Sequence, residues 1–151
     1  MAEAKAVEGP WRSAHVVGDG LLAVSGYDDT LRRELQRPRP YGLRLIDTRE
    51  WTVETVDERV GYFQPASGAL VVSDGGYGRN SGVVALELDG RRRFRLHEGR
   101  DATAIAAGGL LYVTPYGPSR THVIDLRTGR TIRVLAPGQP PTLIPPPAPI
   151  G

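Results

Sequence analysis

Three histidines and a scatter of carboxylates are the groups in this chain with the widest chemical range. His15, His97 and His122 lie 82 and 25 residues apart, which matches no paired metal-ligand spacing, so each reads as a packed or solvated strand side chain. The absence of cysteine excludes disulfides, a thiolate zinc site and a cysteine nucleophile. No Gly-x-Ser-x-Gly elbow is present. The glycine-rich stretch Asp74-Gly-Gly-Tyr-Gly-Arg-Asn-Ser-Gly82 could turn backbone N–H groups toward an anion. It joins two strands and opens no helix, so it reads as a hairpin loop and not as a dinucleotide fingerprint. The expectation is no catalytic residue, no metal site and no cofactor.

The elements that would position these groups are all strands. A glycine followed by a short apolar run recurs as Asp19-Gly-Leu-Leu-Ala-Val-Ser25, Ser67-Gly-Ala-Leu-Val-Val-Ser73 and Gly108-Gly-Leu-Leu-Tyr-Val-Thr114. Each is followed by a second strand, at Leu43 to Asp47, Val83 to Glu87 and Thr121 to Asp125. Gly20 to Gly68 is 48 residues and Gly68 to Gly109 is 41, the period of a four-stranded propeller blade. The expected fold is therefore all-β: three antiparallel meander repeats with strands A to D, an incomplete ring unless it oligomerises. Strand A is expected at Ser13 to Val17, Tyr62 to Pro65 and Thr103 to Ala107. Strand D is expected at Trp51 to Val56, Arg92 to Leu96 and Arg130 to Leu135. The B strands are apolar at consecutive positions, which in an antiparallel fold means burial on both faces between neighbouring sheets. The run Arg91-Arg-Arg-Phe-Arg95 reads as an outer strand with Arg93 and Arg95 in one charged row and Phe94 opposite, a device against edge-to-edge pairing.

The organisation that follows is a flexible N-terminus at 1–11, repeats at 12–60, 61–101 and 102–136, and a proline-rich tail at 137–151. The first repeat carries an inserted loop at 26–41, within which Asp28 to Gln36 has helical character. The tail prolines lack the donors a further strand needs.

The runs Leu111-Tyr-Val-Thr-Pro115 and Val123-Ile-Asp-Leu-Arg-Thr-Gly129 resemble the repeats of the YVTN family of β-propellers, and Leu45-Ile-Asp-Thr-Arg-Glu-Trp51 is similar to the same segment. Ala85-Leu-Glu-Leu-Asp-Gly90 is similar to blades of quinoprotein-like propellers. The resemblance covers about residues 12–136. It implies the fold and leaves the activity open, since such superfolds host many functions.

Blade geometry gathers the B–C loops and D–A connections at one end. The residues expected to contact a protein or small ligand there are Tyr27, Asp28, Asp29, Asp74, Tyr77, Arg79, Tyr116, Arg120, His97 and Arg100. Tyr27, Tyr77 and Tyr116, one per loop, could form an aromatic rim. The expected function is a non-catalytic binding or scaffolding module. The alternative is a propeller hydrolase or lactonase, with Asp28, Asp74, Glu98 and His97 around a metal or water. Three blades leave outer faces uncovered, which a homodimer, a second chain or the rest of a longer propeller gene would complete. A net charge of +2 without a dense cationic footprint argues against nucleic acid. No apolar stretch is long enough to span a bilayer and no signal-peptide pattern opens the chain, so a cytoplasmic location is expected.

Overall fold

The computed structural model describes residues 11–28, 39–117 and 119–137, without the Asp28 side chain. The segments expected as a flexible N-terminus (1–11), a helical window (Asp28 to Gln36) and a proline-rich tail (137–151) lie outside the described residues except at their edges, where Trp11, expected in the N-terminus, is the first residue of a strand. Among the described residues, thirteen strands form three antiparallel sheets and no helix is present. The first sheet contains β1 (Trp11–Gly18), β2 (Leu21–Asp28), β3 (Arg39–Pro40), β4 (Leu43–Asp47) and β5 (Thr52–Asp57). Its order is β1-β2-β4-β5, with the short β3 pairing the far end of β2. The second is a meander of β6 (Gln64–Ala66), β7 (Ala69–Val72), β8 (Val83–Leu86) and β9 (Arg92–Leu96). The third repeats it with β10 (Ala102–Ala107), β11 (Leu110–Pro115), β12 (Thr121–Asp125) and β13 (Thr131–Leu135).

Two local devices build each meander. The first hairpin turn requires positive φ, which glycine supplies without strain: Gly108 and Gly109 stand at 57° and 77° between the paired Ala107 and Leu110. The last turn is tied by an aspartate that accepts the N–H two residues on. Asp47 holds Arg49 N at 2.8 Å, Asp89 holds Arg91 N at 2.9 Å and Asp125 holds Arg127 N at 2.8 Å.

Packing then follows from the pleat. Leu70 and Val72 on β7, with Val84 and Leu86 on β8, meet Ala23, Leu43 and Leu45 of the first sheet. The alternate residues Ala69, Val71 and Val83 meet Ala102, Ala104, Leu111, Val113 and Ile124 of the third. The second sheet is thus buried on both sides, as its unbroken apolar runs predict. Between β6 and β10 the ladder is replaced by one side chain. The Gln64 amide donates to Ala104 O and accepts from Ala106 N at 3.2 Å.

Three sequence expectations change. The inserted loop does not begin at residue 26, because β2 runs on to Asp28 and pairs with β3, Tyr27 opposite Pro40. The second repeat's first strand starts at Gln64, and the preceding Phe63 is buried edge-on to His15 at 5.4 Å. The arginines of β9 do not form one row. A register shift sets Phe94 opposite Ala85 and Arg92 opposite Leu86, so Arg93 is the extra residue of a bulge, which re-aims side chains. Arg93 turns toward the third sheet and donates to Leu126 O and Gly68 O, while pairing with Glu87.

Truncating Leu70, which is fully buried between the first two sheets, should destabilise the fold by about 2–5 kcal/mol as Leu70→Ala. Ile132→Thr, on the exposed side of β13, should change it by less than ~0.5 kcal/mol. Urea unfolding midpoints of the two variants check the contrast.

Candidate functional site

The loop between β7 and β8, the β9–β10 connection and the loop after β11 meet at one end of the second and third sheets. Asp74 opens the first of these with a φ of 52°, a left-handed conformation that a short polar side chain tolerates. Its N–H donates to Ala102 O at 3.0 Å, which fixes the loop to the third sheet. From that sheet the Tyr116 hydroxyl donates to Asp74 Oδ1 at 2.9 Å, and the other carboxylate oxygen accepts from Ser73 Oγ at 3.2 Å. The hydrogen bond to Asp74 raises the Tyr116 phenol above its ordinary pKa, helped by the Asp74 charge. Arg100 holds the loop after β11: Nε and Nη2 donate to Tyr116 O at 3.1 and 2.7 Å, and Nη2 also donates to Ser119 Oγ at 2.7 Å. Asp101 Oδ1 accepts Asn80 N at 2.6 Å, and Gly99 N donates to Asn80 O at 3.0 Å.

His97 borders this cluster. Its φ is 54° and its ring stands edge-on to His122 at 5.2 Å. Burial lowers its pKa, and the neighbouring His122 and Arg100 add to the effect. An imidazole so placed is neutral at physiological pH.

Tyr27 and Tyr77 have other surroundings. The Tyr27 ring lies against the backbone of Gly61 and occupies the space a Cβ there would need. Burial raises its pKa, partly offset by the Arg12 charge. Tyr77 donates to Asp57 Oδ2 at 2.7 Å, with the Arg59 guanidinium 5.3 Å over its ring. Burial pushes the Tyr77 phenol far up, and the bond to Asp57 pushes it further. Burial also pushes the Asp57 carboxyl up, but hydrogen bonds from the Arg59 side chain and backbone and from Tyr77 outweigh it and leave a net lowering.

The structure therefore brings Asp74, Tyr116 and Arg100 together, with His97 beside them, and seats Tyr77 in a separate cluster with Asp57 and Arg59. Arg79 and Arg120 are exposed on the flanking loops. Asp28 ends β2 opposite Arg39, its side chain outside the description, and Asp29 lies outside the described residues. His122 was not among the expected site residues. Its signal was available in the strand register, since its partner Val113 faces the second sheet, but its meeting with His97 depends on a backbone reversal that residue types do not reveal. Among the described residues, no three His, Cys, Asp or Glu side chains converge as metal ligands would. Asp74, Glu98 and His97 engage Tyr116, Arg95 and His122 respectively. What the cluster offers a ligand is an aromatic ring with fixed polar neighbours. No protein-family model and no curated protein matches the chain.

The His97 shift predicts a pH dependence. Because its folded pKa lies below the unfolded value of ~6.5, the unfolded chain takes up a proton first as pH falls, and stability drops below neutrality. His97→Asn keeps a residue suited to positive φ and removes the imidazole. The variant should lose less stability than the parent between pH 7 and pH 5, read from urea midpoints at both pH values. Parallel losses would show that His97 is not the coupled group.

Proposed function

We propose that the three sheets are blades of a YVTN-like β-propeller and that the chain works as a non-catalytic binding or scaffolding module through its loop face. The observation that carries the reading is Tyr116, which is 53% exposed although its hydroxyl is tied across the seam to Asp74. A ring held by a hydrogen bond at its tip presents apolar area without the entropy loss of ordering a free side chain on contact. Arg79 and Arg120 stand exposed on the same loops. Of the groups that the hydrolase alternative would need in concert, Asp74, Glu98 and His97 are held by different partners. The occupant is a protein or small ligand that covers the Tyr116 ring and meets the flanking guanidinium groups.

A benzophenone amino acid at position 116 should crosslink a discrete partner in cells, and one at position 127, in the turn at the opposite ends of the strands, should not. Identical or absent adducts from the two positions would sink the loop-face assignment.

The same reading requires the outward faces of the stack to be covered. Val16 on the first sheet is 74% exposed and Ile105 on the third is 64% exposed. Ile105 lies beside Tyr112, which packs on the apolar cluster of Leu110, Val123 and Leu135. Both are apolar groups on sheet faces turned away from the second sheet, where interaction surfaces are found. A second copy, set head to tail, would bury both faces and close six blades. Light scattering should then give twice the 16.4 kDa of one chain, and Val16→Arg with Ile105→Arg should return it to the monomer. A monodisperse parent monomer would eliminate self-completion and turn the search to a second chain.

A further inference from the structure

The bulge in β9 has a consequence apart from the loop face. In a regular strand Arg92 and Arg95, three residues apart, would point to opposite sides. The extra residue at Arg93 puts them on one side, where both line a cleft between the first and second sheets with Asp57, Arg59, Tyr77, Val84, Leu86 and Gly90. The cleft has a volume of about 140 Å³, several times the ~30 Å³ share of one water in the liquid. Three guanidinium groups face one carboxylate in it. That carboxylate is already committed: Asp57 accepts from Arg59 Nε at 3.0 Å, Arg59 Nη2 at 2.8 Å and Tyr77 Oη at 2.7 Å.

Of the three arginines of β9, Arg93 is paired with Glu87, while Arg92 and Arg95 have no strong counter-charge. Arg92 is paired through its backbone to Leu86, and its side chain has no hydrogen-bond or ion-pair partner among the described residues. Arg95 pairs only through Nη1, at 3.1 Å, with Glu98, whose side chain is mostly in solvent, and an exposed pair of this kind is weak. Arg95 Nε is buried with no acceptor, so the terminal Nη groups are the donors that an oxyanion in the cleft would meet. The cleft floor of Val84 and Leu86 is buried and apolar, which strengthens a charge–charge contact made above it.

We propose that this cleft binds a phosphate dianion, free or as a monoester, between Arg92 and Arg95, with Tyr77 and Arg59 as its wall. Guanidinium forks match tetrahedral oxyanions by paired N–H···O bonds, and the bulge is the device that brings two forks to one side. The site uses none of Asp74, Tyr116 or Arg100, so it stands or falls independently of the loop-face reading.

Calorimetric titration of the full chain with inorganic phosphate, above neutral pH and at low ionic strength, tests it. Saturable binding is expected, weakened about tenfold or more by Arg92→Gln and by Arg95→Gln and unchanged by Arg91→Gln, whose side chain lies outside the cleft. Arg92 is exposed at the start of β9, so Arg92→Gln decides the matter even if Arg95→Gln fails to fold. Phenyl phosphate serves as the second probe. Tighter binding than inorganic phosphate would assign the site to a phosphate carried on a larger molecule, and equal binding to the free ion; either supports the proposal. No saturation by either probe, or equal weakening by Arg91→Gln, would overturn it.

Discussion

Burial of the second sheet on both faces holds the three meanders together. Its Leu70, Val72, Val84 and Leu86 lean on the first sheet, and its Ala69, Val71 and Val83 lean on the third. A fully buried valine or leucine is worth about 1.5–3 kcal/mol, so either face alone carries an amount comparable with the 5–15 kcal/mol net stability of a whole domain. The second sheet therefore has no stable existence apart from its neighbours. The three meanders, each local in sequence, must be held as one stack.

That stack is what brings distant loops together, and each seam is tied by a tyrosine and an aspartate. At the first seam Tyr77 meets Asp57, and at the second Tyr116 meets Asp74. The pairs differ in surroundings. Tyr77 is half-buried and reinforced by Arg59, so it works as a clamp. Tyr116 is open to solvent and its ring is free for contact. Backbone bonds reinforce both seams, from Gly61 N to Gly76 O at 2.9 Å and from Asp74 N to Ala102 O at 3.0 Å. The loop positions are consequently set by sheet packing, and a fault in the core would reach the loops before any loop residue changed.

The bulge shows how one inserted residue redistributes charge. Without it, Arg93 and Arg95 would share a side and Arg92 would stand opposite them. With it, Arg93 turns to the third sheet and closes on Glu87, Leu126 O and Gly68 O, while Arg92 and Arg95 turn to the first. One arginine becomes a tie between sheets, and two become a cationic lining.

Much of the fold was legible in residue order because its causes are local. Apolar runs behind glycine marked β2, β7 and β11, and unbroken hydrophobicity at Ala69–Val72 announced burial on both faces. The loops that meet at Asp74 and Tyr116 could also be anticipated, because a meander returns its alternate connections to the same end. Residue order was silent on what required a neighbour or a backbone irregularity. It could not place Tyr27 against Gly61, which is a contact between chain segments 34 residues apart. It could not show that His97 takes a positive φ and meets His122, or that β9 carries an extra residue. Periodicity assumes a regular pleat, and a single bulge inverts every side assignment beyond it. Strands, turns and the two-sided core follow from propensity and hydrophobic pattern, so residue order alone specifies them. Which polar groups face each other is settled by the folded stack, because it depends on register and packing between sheets.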